Sequence, residues 1–204
     1  MLVDPAISKM YSPIFERLIA MVGAARNAFN RHSRSSMEEL QSHHQSANRE
    51  IEAALKWITS QMALEPKAHS TFLVRCQGIF HHLQGMAAIL GGLADPIQKK
   101  IKDSVLFSDK AVSQTNYLFD HQGGLLRSIL DVIKTDNDFL KKYTLEEGQA
   151  LLQACRDFAT EHEERLIEGV CLPQAAPIFL AILDAVRNIS QHEVDIALEL
   201  AKKP

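Results

Sequence analysis

One pattern of apolar residues occurs twice in this chain, and it restricts the fold more than any other feature. Towards the C-terminus, Phe179, Ile182, Val186, Ile189, Glu193, Ile196 and Leu200 follow one another at steps of three and four. The same register stands 106 positions earlier, at Leu73, Cys76, Phe80, Leu83, Ala87, Leu90 and Ala94. Such steps keep one face of a 3.6-residue helix pointing in a single direction, so each run is the buried stripe of a helix flanked by two neighbours. Only Glu193 breaks the apolar character. Two equivalent helices at this separation describe a duplicated helical unit.

The remaining segments complete each unit. Ser12-Pro13 reads as a helix start, a cap followed by proline at the first helical position, with the stripe Phe15, Leu18, Val22, Ala25 and Phe29. A second helix opens on the capping box Ser36/Glu39, in which each side chain satisfies a free backbone N–H. It carries Leu40, His44, Ala47, Ile51, Leu55, Ile58 and Met62 and stops near Glu65-Pro66. The third runs from Ser70 to about Ala94, closes at Gly91-Gly92, and Asp95-Pro96 restarts the chain. Ile97, Ile101 and Val105 give a further stripe, then Val112, Phe119, Leu126, Leu130 and Ile133, with a break at Ser108-Asp109. Thr144 with Glu147 is a second capping box, opening a helix through Leu152, Cys155, Ala159, His162 and Leu166 to Val170. No stretch alternates as a strand does. The expected fold is all-α, six long helices as two tandem three-helix bundle repeats, 1–95 and 96–204, around one continuous core.

Composition removes several functions. With 22 basic against 25 acidic residues and a net charge of −3, there is no electrostatic footprint for nucleic acid. Lys99, Lys100 and Lys102 read as surface charge. Cys76, Cys155 and Cys171 are odd in number and lack CxxC spacing, so they read as small apolar core residues in a reducing compartment. The opening MLVDPAISKMYS lacks the basic-then-apolar pattern of a signal peptide, and the longest apolar run, Gly85 to Ala94, is too short for a bilayer. A soluble, cytoplasmic protein without membrane insertion is expected. No phosphate-binding glycine loop, nucleophile elbow or triad pattern is present, which gives no basis for an enzyme.

The two-repeat layout, together with the phrase AILDAVRNISQHEVDIALEL, resembles the PhoU family of phosphate-transport regulators and the related cytoplasmic domain of sodium/phosphate cotransporters. In that family the third helix of each repeat carries a run of the form Leu-Glu-Arg-Ile-Gly-Asp-His-x-x-Asn-Ile-Ala. Val186 to Ala197 match it in the second repeat, and Phe80 to Leu90 in the first. The resemblance implies a non-catalytic regulator that contacts a membrane phosphate transporter or a sensor kinase and self-associates. It also implies metal clusters on an acidic ExxxD pair. Here those positions hold Arg187 and Gln191 in one repeat, and His81 and Gly85 in the other. An arginine repels a hard cation and a glycine offers no ligand, so the cluster is not carried over.

Nine histidines invite a metal reading of their own. None has Glu or His four residues on, as a di-iron bundle would require. The adjacent pairs His43-His44 and His81-His82 diverge by about 100° on a helix. Three polar residues do lie on apolar stripes: His44, His162 and Glu193. If His162 faces Glu193 across neighbouring helices, the pair is either a buried hydrogen bond that fixes register or a remnant ion site completed by Glu161, Asp157 or Asp195. The candidate metal residues are therefore His162, Glu193, Asp157 and Glu161, with no cofactor beyond a weakly held divalent cation. Glu161, Glu163, Glu164 and Glu168 otherwise form a solvated helix face.

Overall fold

The computed structural model describes residues 5–64 and 70–202, and among them there is no strand. Six long helices are α1 (Pro5–Arg31), α2 (Arg34–Leu64), α3 (Ser70–Gly92), α5 (Asp109–Thr135), α6 (Asp138–Ile167) and α7 (Ala176–Ala201). A short α4 (Ala94–Lys102) and a single 3-10 turn, Pro173–Ala175, complete the described chain. Helices α1, α2 and α3 pack on one another, as do α5, α6 and α7. The two sets meet along equivalent helices, α1 on α5 and α3 on α7. Helices α2 and α6 are thus outriggers. Buried positions on α6 are Thr144, Gly148, Leu151, Cys155 and His162, whereas α7 buries side chains along its whole length. One core runs through both sets, with Phe15, Phe80, Phe119 and Phe179 all sealed inside it. The expected division at 95/96 falls within α4.

Several helix ends differ from the sequence expectation, and each difference has a local cause. Helix α1 begins at Pro5, not at Pro13, which lies in its interior. An internal proline removes one hydrogen bond and costs about 3 kcal/mol, so packing must offset it. Ile7, Tyr11 and Ile14 are buried on either side, and the Tyr11 ring stacks on Phe80 at 4.5 Å with the planes 5° apart. Helix α2 is started by Ser33, whose hydroxyl accepts the Ser36 N–H at 3.1 Å. His32 at φ 53° closes α1 just before it, leaving Ser33 and not Ser36 at the cap. The expected stop near Glu65-Pro66 lies outside the described residues.

Helix α6 likewise starts before Thr144. Asp136 at φ 53° terminates α5, and Asn137 Oδ1 then accepts the Phe139 and Leu140 N–H groups at 2.9 and 3.1 Å. Thr144 sits inside the helix with its hydroxyl on the Lys141 carbonyl. At the other end Gly169, at φ +72°, halts α6 before Val170. The Gly169 N–H reaches the Leu166 carbonyl and the Val170 N–H reaches Arg165, the paired bonds of a Schellman closure that a glycine makes at no steric cost. The Ser108 break does hold: its side chain caps α5 by accepting from Ala111.

Lys100 is not surface charge. It is buried with its ammonium 2.9 Å from the Phe29 carbonyl and 2.6 Å from His32 Nε2, above the Phe29 and Phe107 rings. Phe29 lies in the last turn of α1, where carbonyls lack helical partners and the dipole favours a cation. One lysine therefore fastens α4 to the end of α1. Burial lowers its pKa.

Candidate functional site

Four positions on α3 and α7 stand where the family-like motif carries its acids, and three of them are exposed. Arg187 is exposed and paired with Asp184 one turn back, which also accepts from Asn188 at 3.1 Å. Gln191 is exposed and donates to Asp195 Oδ1 at 3.0 Å. His81 is exposed on α3. Gly85 lies directly beneath the His192 ring, so close that a Cβ would stand 2.7 Å from Nε2. These residues do not fit a carboxylate-held metal cluster. One is a guanidinium already committed to a carboxylate, and another is a backbone surface occupied by an imidazole.

The sequence-derived metal set does not converge either. His162 and Glu193 are both buried, each 1% exposed, as their stripe positions imply. They are not at the same height. The His162 ring lies 4.6 Å from the Phe179 ring, while Gly148 lies against Val194. Helices α6 and α7 are antiparallel, so His162 belongs to the level of Phe179 and Glu193 to the level of Gly148. Phe179 and Glu193 are fourteen residues apart, about 21 Å along the axis. Glu161 is engaged at the surface, with Lys110 at 3.4 Å, Arg165 at 3.5 Å and the Gln114 amide at 2.9 Å. Asp157 accepts from Gln153 on the exposed side of α6.

Each buried polar group then has its own account. Neither ring nitrogen of His162 has a hydrogen-bond partner, and burial, aided by Arg165, holds its pKa below the usual imidazole value. It packs as a neutral aromatic ring. Both Glu193 carboxyl oxygens lack a partner within hydrogen-bond distance. Burial raises the Glu193 pKa well above the ordinary carboxyl range, and the Gln122 amide opposes this only in part. Gln122, itself fully buried, receives the Ser190 hydroxyl at 3.4 Å. Glu193, Gln122 and Ser190 thus form a polar inclusion in the core between α5 and α7. None of the three cysteines forms a disulfide and all are buried, and burial pushes the Cys155 thiol up to about 12, which leaves it unreactive.

Two features outside the expected set are open to solvent. A cleft of about 210 Å³ between α5 and α6 is lined by Asp120, His121, Tyr143 and Glu147, with His121 Nδ1 3.7 Å from Glu147 and its ring 4.0 Å from Tyr117. At the α3–α7 contact, His82 Nδ1 and His192 Nδ1 approach to 3.0 Å. Asp195, three residues beyond His192, completes a group whose ligand atoms lie within 4.8 Å of one another. Sequence reasoning considered His82 only beside His81, on its own helix. The usable clue was the pairing of the two equivalent third helices, which brings residues 110 positions apart into contact.

No family model and no curated protein matches the chain by sequence. Its structure is similar to the crystal structure of the phosphate transport system regulatory protein PhoU from Streptococcus pneumoniae. The two agree with a TM-score of 0.81 over 96% of this chain and 91% of that one, at 12% identity. The chain has the PhoU-like fold, as the repeated stripe and its motif indicated. Among the described residues no helix is long and apolar enough to cross a membrane.

Proposed function

We propose that this chain is a non-catalytic regulator of phosphate transport or of the phosphate-starvation response. It would act by binding a membrane phosphate transporter or a sensor kinase from the cytoplasmic side. The observation that carries this reading is the fold itself. The likeness to the streptococcal regulator extends over nearly the full length of both chains, including both repeats and the seam between them. A role through contact also suits the chemistry of the core. Its buried titratable groups Glu193 and His162 are sealed from any substrate.

Long amphipathic helices arranged as outriggers present continuous faces, and a partner that prefers one conformation of its own can be shifted only by differential binding. The expected result is that the purified chain sediments with membrane vesicles bearing the phosphate transporter or its sensor kinase. It should stay in the supernatant with vesicles lacking both. Equal partition between the two preparations contradicts the reading.

A further inference from the structure

We propose that His82, His192 and Asp195 form a binding site for a transition-metal dication of the zinc class, clamping α3 to α7 across the seam between the two repeats. The site does not depend on the regulatory reading, and its three ligands lie within the motif runs at positions other than those of the motif's acids.

The donor set comes first. Two imidazoles and one carboxylate are borderline ligands that suit zinc, cobalt, nickel or ferrous iron rather than calcium or magnesium. As ligands, two imidazoles and one carboxylate bring a single negative charge to a dication. Three protein ligands leave at least one coordination position to water.

The spacing agrees. Nitrogens bound tetrahedrally at about 2.0–2.1 Å stand about 3.3–3.4 Å apart. The two Nδ1 atoms are at 3.0 Å, a few tenths of an ångström away. That contact places a single proton between two lone pairs, and a cation can take the proton's place. All three residues are half-buried, so an ion can reach them from solvent.

The surroundings hold the ligands in place. Gly85 makes the α3 surface flat enough for the His192 ring, and Nε2 faces it at a distance no side chain would allow. Nδ1 is thereby the nitrogen turned towards His82. Gln191 donates to Asp195 Oδ1 and leaves the second oxygen for the ion, an outer contact of the kind that orients metal-bound carboxylates. The glycine that replaces a family-like acid is then explained by the imidazole that crosses from the other repeat.

The test uses the full chain, stripped with chelator and titrated with zinc or cobalt chloride. One equivalent of cobalt should bind and develop visible ligand-field absorption. Zinc at a hundredfold excess over its dissociation constant should raise the melting temperature by about 5–10 °C. His82→Gln and Asp195→Asn should each weaken binding at least tenfold while helical circular dichroism is retained, and if one variant loses helix content the other decides. Absence of a stoichiometric equivalent overturns the site. Binding of equal strength in the folded variants overturns it as well, because the ion would then reside on other histidines.

Discussion

Replacing Glu193 by glutamine is expected to stabilise the protein by about 2 kcal/mol or more at pH 8, and by progressively less as the pH falls towards 4. The sign follows from burial. In the unfolded chain this carboxyl ionises near its ordinary value of about 4.3. In the folded protein it is fully buried, its oxygens lack partners, and its pKa is raised. Between those two values the unfolded chain releases a proton that the folded chain retains. Stability is therefore fully present below the unfolded pKa and is lost as pH rises through the folded one. Every tenfold difference in proton affinity is worth about 1.4 kcal/mol.

Glutamine keeps the shape and cannot ionise, so the variant should lack this decline. His162 acts in the opposite sense, since its lowered pKa costs stability as pH falls below about 6.5. Subtracting the wild-type curve from the variant curve removes that contribution. Thermal melts at several pH values between 4 and 8 make the comparison. A difference that stays flat with pH would mean that Glu193 is ionised in the folded state.

Phe80→Ala should cost about 3–5 kcal/mol, which corresponds to a melting temperature lower by roughly 6–20 °C. Phe80 is fully buried on α3, stacks on Tyr11, and lies two residues before His82, which contacts His192 on α7. Truncation removes the ring and leaves a cavity facing Tyr11. It also withdraws the contact that holds the first turns of α1 as helix ahead of Pro13. Phe80→Leu, which fills most of the space, should cost about 1–2 kcal/mol. Urea unfolding of both variants provides the numbers. A loss below 1 kcal/mol for the alanine variant would show that the segment before Pro13 is not packed on α3.

Much of the fold was legible in the sequence because burial leaves a periodic trace. The stripes at Leu73 to Ala94 and Phe179 to Leu200 identified the two helices that meet at the centre, and Phe80 and Phe179 are indeed fully buried there. Helix ends were less legible. Three serines within four residues, Ser33, Ser35 and Ser36, compete for one cap, and the left-handed turn at His32 that decides among them has no sequence mark. Thr144/Glu147 has the letters of a capping box, yet Asn137 starts the helix earlier because Asp136 closes the one before.

The site was legible only in direction. A stripe states which face a residue occupies and not how far along the bundle it lies. His162 and Glu193 were placed on buried faces correctly, and their separation of about 21 Å depended on the antiparallel register, which no single-helix pattern contains. The pairing of His82 with His192 escaped notice for the same reason. Their contact is a property of two helices packed together, and neither residue sits on an apolar stripe.

Deletion of the gene tests the proposed role of this PhoU-like fold in the cell's handling of phosphate. Phosphate uptake and the starvation response should be followed in replete and phosphate-poor media, with the wild-type chain restored in a parallel strain. Without the chain the response should no longer follow external phosphate, and restoring the chain should bring the dependence back. Uptake and response identical to the parent in both media would contradict it.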